Sequence, residues 1–293
     1  MVLRRETWPA PDGDEVDVDF TESPARPGRP WLVLFHGLEG SSRSHYATTL
    51  MDEARRRGWQ GAVAHFRGCG GRPNLLPRAY HSGDSDEIDW VLRRMRERAG
   101  GAPLLAAGVS LGGNALLKWL GERGTDAGFV TAAAGVCAPQ DLEAGARSLA
   151  RGFNRVYTRN FLFSLKRRSL DLLERHPGLL DAERIRAARD FFDFDGAVTA
   201  PLHGFRDAVD YWTRSSCRQF LPGIAVPTLV LNARNDPFVP APVLAGPKQV
   251  SRAVRLHYPD EGGHVGFPTG APPARLDWLP RRLFHFFGEH LHG

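Results

Sequence analysis

Leu104-Leu-Ala-Ala-Gly-Val-Ser-Leu-Gly-Gly-Asn114 is the stretch that decides the fold. Its first six residues are apolar or glycine without alternation, which reads as a strand buried on both faces. A helix is predicted behind it, from Gly112 to Arg123. Between the two, Gly108-Val109-Ser110-Leu111-Gly112 fits the pattern G-x-S-x-G. The pattern alone is weak, but a buried strand before it and a helix after it are what a nucleophile elbow requires. A sharp strand-to-helix turn pushes the serine up, and side chains at 108 and 112 would collide with neighbouring backbone. The helix opening at Leu111 aims free N–H groups at any anion forming nearby. The plainer reading is a βα turn with a serine N-cap. What the rest of the chain supplies decides between them.

Working outward, Trp31-Leu-Val-Leu-Phe35 is a second continuous apolar run and ends at His36-Gly37. Leu3–Trp8 and Glu15–Phe20 are predicted to pair as an antiparallel hairpin around Pro11-Asp-Gly13. Strands are expected over Gln60–Phe66, Phe129–Val136, Val226–Asn232 and Val254–Tyr258. Helices are expected over Ser42–Arg57, from about Asp84, and over Ala274–His290. The helix after Asp84 carries acids in its first turns and arginines in its last, with Ile88, Val91, Leu92 and Met95 as its buried face. Alternating β and α elements with short loops imply a mostly parallel central sheet covered by helices on both faces. The rhythm breaks over residues 139–223, which show helical periodicity and no convincing strand. So long an insertion is no loop. It is read as a helical lid on a core formed by 1–138 and 224–293.

A serine hydroxyl needs a histidine to take its proton, and that histidine needs an acid to hold its tautomer. In the α/β-hydrolase fold they follow in chain order Ser, Asp or Glu, His, each on a loop at the C-terminal edge of the sheet. Asp236 lies directly after the strand at 226–232, and His264 directly after the one at 254–258. The predicted triad is Ser110, Asp236 and His264. His36, His65 and His257 sit on or beside strands and read as structural, and His81 and His203 fall in the wrong order. Asp260 and Glu261 share the loop of His264, which disfavours them as the acid. Two backbone donors are needed for the developing oxyanion. They are assigned to Leu111 and to Leu38 in His36-Gly-Leu-Glu-Gly40, with Gly37 as the fallback.

These motifs resemble the YheT-like branch of the α/β-hydrolases over nearly the whole chain. The likeness rests on His36-Gly-Leu-Glu-Gly-Ser41, His65-Phe-Arg-Gly-Cys-Gly-Gly71, Leu76-Pro-Arg-Ala-Tyr-His-Ser-Gly83, Gly108-Val-Ser-Leu-Gly-Gly-Asn114 and Asn235-Asp-Pro-Phe238. The resemblance implies carboxylic ester hydrolysis, with acylglycerols and short-chain esters as substrates and some relatives acting on phospholipids. It places the nucleophile, acid and base on the same three residues. Gly70 stands where many relatives carry serine. Arg67, Arg78 and His81 in the 65–83 block could bind an anion or pin the loop, and the pinning role is favoured. The alternatives on the same triad are thioesterase, amidase and acyltransferase chemistry. A non-catalytic binding protein on a hydrolase scaffold is a weaker reading, because a dead scaffold has no need of all three residues.

Composition narrows the rest. A net charge of +5 invites a nucleic-acid reading, yet 35 of the 38 basic residues are arginines scattered among 33 acids, without a stripe. No nucleic-acid partner is expected, and the 65–83 block lacks a phosphate-binding glycine pattern. Cys69, Cys137 and Cys217 have neither metal-site spacing nor a disulfide pattern. Neither metal nor cofactor is expected. With no apolar stretch behind the basic N-terminus, a secretory leader is not expected and a reducing cytosol is the simplest compartment. In the insertion, Phe153, Val156, Tyr157, Phe161 and Leu165 follow helical spacing, with basic residues on or near the other side. That face is read as the roof of an acyl pocket, with peripheral contact to an anionic lipid surface as the alternative.

Overall fold

The computed structural model describes residues 2–22, 28–271 and 273–291. Eight strands form one sheet: β1 (Leu3–Pro9), β2 (Glu15–Thr21), β3 (Trp31–Phe35), β4 (Gln60–Ala64), β5 (Leu104–Val109), β6 (Ala132–Val136), β7 (Thr228–Leu231) and β8 (Val254–His257). Their order is β1-β2-β4-β3-β5-β6-β7-β8. The β1–β2 and β2–β4 pairs are antiparallel and the others parallel. The predicted hairpin is thus the antiparallel edge of the sheet. Central strands β3 to β7 are buried almost throughout, which is why they read as unbroken apolar runs.

Helices α1 (His45–Arg56), α2 (Ser85–Ala99) and α3 (Leu111–Arg123) alternate with these strands. Helices α4 (Leu142–Leu149), α5 (Asn154–Arg175), α6 (Ala182–Ala187), α7 (Phe191–Phe194), α8 (Ala200–His203) and α9 (Ala208–Ser215) fill the interval between β6 and β7. Helix α10 (Trp278–Glu289) follows β8. Two buried clusters lie on opposite faces of the sheet. One gathers Ile88, Leu92 and Met95 of α2 with Leu116 and Trp119 of α3; the other gathers Leu50 and Met51 of α1 with Phe284 and Phe287 of α10. A third cluster, with Leu162, Leu165, Ile185 and Trp212, belongs to the inserted helices.

Several element ends differ from expectation, each for a local reason. α1 starts at His45, not Ser42, because Ser41 and Ser44 close a turn: Ser44 N–H donates to Ser41 O, and Ser41 N–H to Ser44 Oγ. β4 ends before Phe66, whose N–H donates to His36 Nε2. α10 starts at Trp278 because Thr269 and Arg275 exchange backbone hydrogen bonds in an antiparallel bridge, which takes Arg275 out of the helix. Among the described residues no helix is long and apolar enough to cross a membrane.

Candidate active site

Ser110 stands at the β5–α3 junction with φ 53° and ψ −116°, a conformation rare for a residue with a side chain. The flanking glycines make it possible. A Cβ on Gly108 would lie 2.3 Å from Gly112 O, and one on Gly112 would lie 2.5 Å from His36 O and 2.6 Å from Phe35 O. Every one of those atoms is backbone and cannot rotate away.

The structure brings the three predicted side chains into one line. His264 Nε2 is 3.0 Å from Ser110 Oγ, and His264 Nδ1 is 2.8 Å from Asp236 Oδ2. The buried Asp236 carboxylate accepts at its other oxygen from Phe238 N–H and Val239 N–H. These bonds fix its plane and leave Oδ2 for the imidazole. The aromatic ring of Phe238 lies 4.5 Å from that of His264, centroid to centroid. Asp260, the rejected rival, faces Arg234 instead.

The loop after β3 has its N–H groups claimed one by one. Gly37 N–H donates to Tyr46 Oη, Glu39 N–H to Tyr80 Oη, Gly40 N–H to Gly37 O and Ser41 N–H to Ser44 Oγ. Among the described residues only Leu38 N–H in this run has no acceptor, whereas the N–H of the fallback, Gly37, is already donated to Tyr46 Oη. Leu111 opens α3, so its N–H has no partner within the helix either. Glu39, at φ 55°, is held by Tyr80 Oη, which donates to its carboxylate at 2.7 Å, and by Arg168 of α5 at 3.2 Å. Sequence reasoning missed this brace of Tyr46, Tyr80, Glu39 and Arg168. Only the quoted motifs containing Glu39 and Tyr80 hinted at it.

The 65–83 block is consumed in bracing. Arg67 is buried against Glu87, Asp12 and Asp14, and Arg78 pairs with Asp84 and Asp12. Neither guanidinium is free for an external anion. Asn114 reaches Ser82 O and Ser215 O and accepts from Cys217 N–H, so one side chain joins α3, the block and the end of the inserted helices. Gly70 lies against Asp17, whose Oδ2 would be 2.1 Å from an added Cβ, so serine could not replace it here without movement.

The five histidines set aside as the base are engaged away from Ser110. His36 is fully buried, its Nδ1–H donating to Gly37 O while Nε2 accepts from Phe66 N–H. Burial pushes its pKa down to about 3 and keeps it neutral. His65 binds Asp19, and His257 Nδ1 accepts from Arg282. His81 and His203 pack with tilted rings, centroids 4.3 Å apart, and burial pushes them down to about 3 and about 4. Cys137, Asp236 and His264 come close enough to hold a cation. The donor set does not suit one: burial and the Asp236 charge hold the Cys137 thiol protonated, and both His264 ring nitrogens are engaged.

A cavity of about 370 Å³ opens on Ser110 and His264, lined mainly by apolar side chains that include Leu142, Leu149, Phe161, Leu165 and Phe191. The roof expected from α5 is only partly there. Phe161 and Leu165 line the cavity and Tyr157 packs on Phe238, but Phe153 and Val156 face solvent. The reason is phase: a 22-residue helix turns its two ends through different surroundings, and its first turn projects past the cavity.

Besides Glu39, a second acid, Asp195, sits on the cavity wall. Between α7 and α8 the chain makes a π-helical turn, Asp195–Thr199, where Asp195 accepts from Thr199 Oγ1 and Trp212 Nε1. Burial without a cation raises its pKa to about 6. The native state therefore holds this proton more tightly than the unfolded chain, and stability falls as pH rises from about 4 to about 6. Two units correspond to roughly 3 kcal/mol at most. In Asp195→Asn the thermal midpoint, relative to wild type, is expected to climb between pH 4 and pH 7. A difference that stays flat across that range would refute the assignment.

Comparison with known proteins came out one way. A family profile of the alpha/beta hydrolase fold matches residues 30–271. The chain is 42% identical over 276 residues to YheT of Escherichia coli (strain K12), which carries the name of an esterase, covering 93% of this chain and 81% of that one. It is 29% identical over 294 residues to the phospholipase ABHD3 of Mus musculus, covering 97% and 71%. Among solved structures it is similar to Est1E of Butyrivibrio proteoclasticus, bound to ferulic acid, with a TM-score of 0.61 and 13% identity over the full length of both. With the sheet order, the elbow and these matches in hand, the chain belongs to the alpha/beta hydrolase fold family.

Proposed function

We propose that this protein cleaves carboxylic esters as a serine hydrolase, with Ser110 as nucleophile, His264 as general base and Asp236 as the acid that orients it. The observation that carries the reading is the unbroken line of hydrogen bonds from Asp236 through His264 to Ser110, opening on an apolar cavity. Ser110 Oγ attacks the ester carbonyl while its proton passes to His264 Nε2. Asp236 stabilises the imidazolium through Nδ1–H. The oxyanion of the tetrahedral intermediate lies between the N–H groups of Leu38 and Leu111, each worth roughly 10²–10³ in rate. Collapse expels the alkoxide, which takes the proton from Nε2 and leaves as the alcohol. Water, deprotonated by His264, then adds to the acyl-serine, and collapse releases the carboxylic acid and restores Ser110.

We read residues 139–223 as a lid that shapes the acyl site over a core formed by 1–138 and 224–293. Ligand cavities run from roughly 300 to 1,000 Å³, so this one is at the small end and suits short to medium acyl chains. The relatives named as an esterase and a phospholipase favour acyl esters, and a relative from Saccharomyces cerevisiae named as a monoacylglycerol lipase, 26% identical over 273 residues, adds acylglycerols. Three buried thiols, none in a disulfide, fit a reducing cytosol. The test is turnover of p-nitrophenyl esters from acetate to palmitate. A maximum between butyrate and octanoate is expected. Absence of turnover at every length, with a thioester or amide series hydrolysed instead, would overturn the ester assignment.

A further inference from the structure

The inserted helices carry a surface that the chemistry above does not use. Seven large apolar side chains are exposed among the described residues, and four of them, Phe153, Val156, Tyr157 and Phe163, fall within eleven consecutive positions. Phe153 is 74% exposed and Phe163 is 72% exposed. At 100° per residue, Val156 and Phe163 fall together on the side of α5 opposite its buried Leu162, Leu165 and Leu172. The exposed apolar groups thus make one outward ridge instead of a scatter.

Charge follows the same segment. From residue 144 to residue 170 there is no aspartate or glutamate, and seven arginines and lysines stand in that interval. Arg147 pairs with Glu143, Arg168 binds Glu39 and Lys166 donates to Arg186 O. Arg151, Arg155, Arg159 and Arg167 have no carboxylate partner among the described residues. Long cationic side chains beside an apolar ridge suit a helix that lies in a lipid headgroup layer, the rings inserted and the guanidinium groups at the phosphates. The ridge also leads inward. Phe153 meets Tyr157 at 6.0 Å between ring centroids, Tyr157 meets Phe238 at 4.9 Å, and Phe238 meets His264 at 4.5 Å. An unbroken row of aromatic rings joins the outer surface to the candidate base.

We infer that the outward face of α5, with Phe153 at its start, is a docking surface for an anionic lipid bilayer. Docked there, the protein sets the mouth of the cavity against the membrane, and an apolar ester reaches Ser110 along the aromatic row without crossing water. The inference does not depend on the hydrolytic reading, since docking is measured without turnover.

Flotation with vesicles tests it. Wild-type protein is expected to co-float with vesicles of equal parts phosphatidylglycerol and phosphatidylcholine at least about tenfold more than with pure phosphatidylcholine, and to lose that binding in high salt. The double variants Val156→Asp/Phe163→Asp and Arg155→Glu/Arg159→Glu are each expected to lose it. All four side chains lie outside the catalytic line and the aromatic row, so both variants should hydrolyse soluble p-nitrophenyl butyrate at the wild-type rate, and an unchanged far-ultraviolet circular dichroism spectrum reports, without turnover, that they are folded. No flotation of wild type, or equal flotation of wild type and variants, overturns the inference. So does a wild-type dimer that the aspartate variant turns into a monomer without any vesicle binding, because the ridge would then be a subunit contact.

Discussion

Ser110→Ala is expected to lower kcat for p-nitrophenyl esters by roughly five to six orders of magnitude, and to abolish covalent labelling by a fluorophosphonate. The alanine keeps the backbone of the elbow and its surroundings, so the thermal midpoint should stay within a degree or two of wild type. Asp236→Asn separates orientation from nucleophilicity. Its Oδ1 partners, the N–H groups of Phe238 and Val239, can still be served, but an amide facing His264 Nδ1 favours the wrong tautomer. A loss of about 10⁴ in kcat is expected there, with fluorophosphonate labelling slowed in step. Residual turnover within tenfold of wild type in either variant would mean that the Ser110–His264–Asp236 line is not the reacting one.

The second large effect concerns backbone space. Gly112→Ala is expected to destabilise the fold by about 3 kcal/mol or more, because its methyl would stand 2.5 Å from His36 O and 2.6 Å from Phe35 O. Relief requires that β3 and α3 separate, and β3 leads straight into the loop that presents Leu38 N–H. So kcat should fall even where folded protein is recovered. A drop of roughly 6–12 °C in the thermal midpoint is the measurement. Gly288→Ala is the control: its methyl meets nothing within 4 Å, and α10 ends at Glu289. That change should be neutral or stabilising by up to about 1 kcal/mol. Equal destabilisation by the two substitutions would show that close approach at the elbow is not what glycine provides at 112.

Both expected effects trace to the contacts that make the site rigid. Ser110 is held at an unfavourable φ by a βα junction that tolerates no other backbone path. The loop after β3, which carries the Leu38 N–H, is held by hydroxyls, Tyr46 and Tyr80, and by the Glu39 carboxylate that Arg168 of α5 supports. Few of these atoms can move without leaving a buried polar group unpaired, which costs about 1–3 kcal/mol. The geometry is therefore set before any ester arrives.

What the sequence determined by itself is local or follows from chain order. Continuous apolar runs marked β3 to β7 because a strand covered on both faces leaves no polar position. The elbow was legible because strand, G-x-S-x-G and helix are contiguous. Asp236 and His264 were legible because each directly follows a strand, and parallel strands deliver their following loops to one edge. What only the tertiary structure decided depends on contacts between distant segments. That Leu38 N–H lacks an acceptor while the N–H groups on either side have one rests on Tyr46 and Tyr80, 9 and 41 residues from their partners. The consumption of Arg67 and Arg78 rests on carboxylates from the N-terminal hairpin and α2. The division of α5 into a cavity-lining part and an outward ridge rests on where the cavity ends. Periodicity tells which residues share a helix face; only packing tells what that face meets.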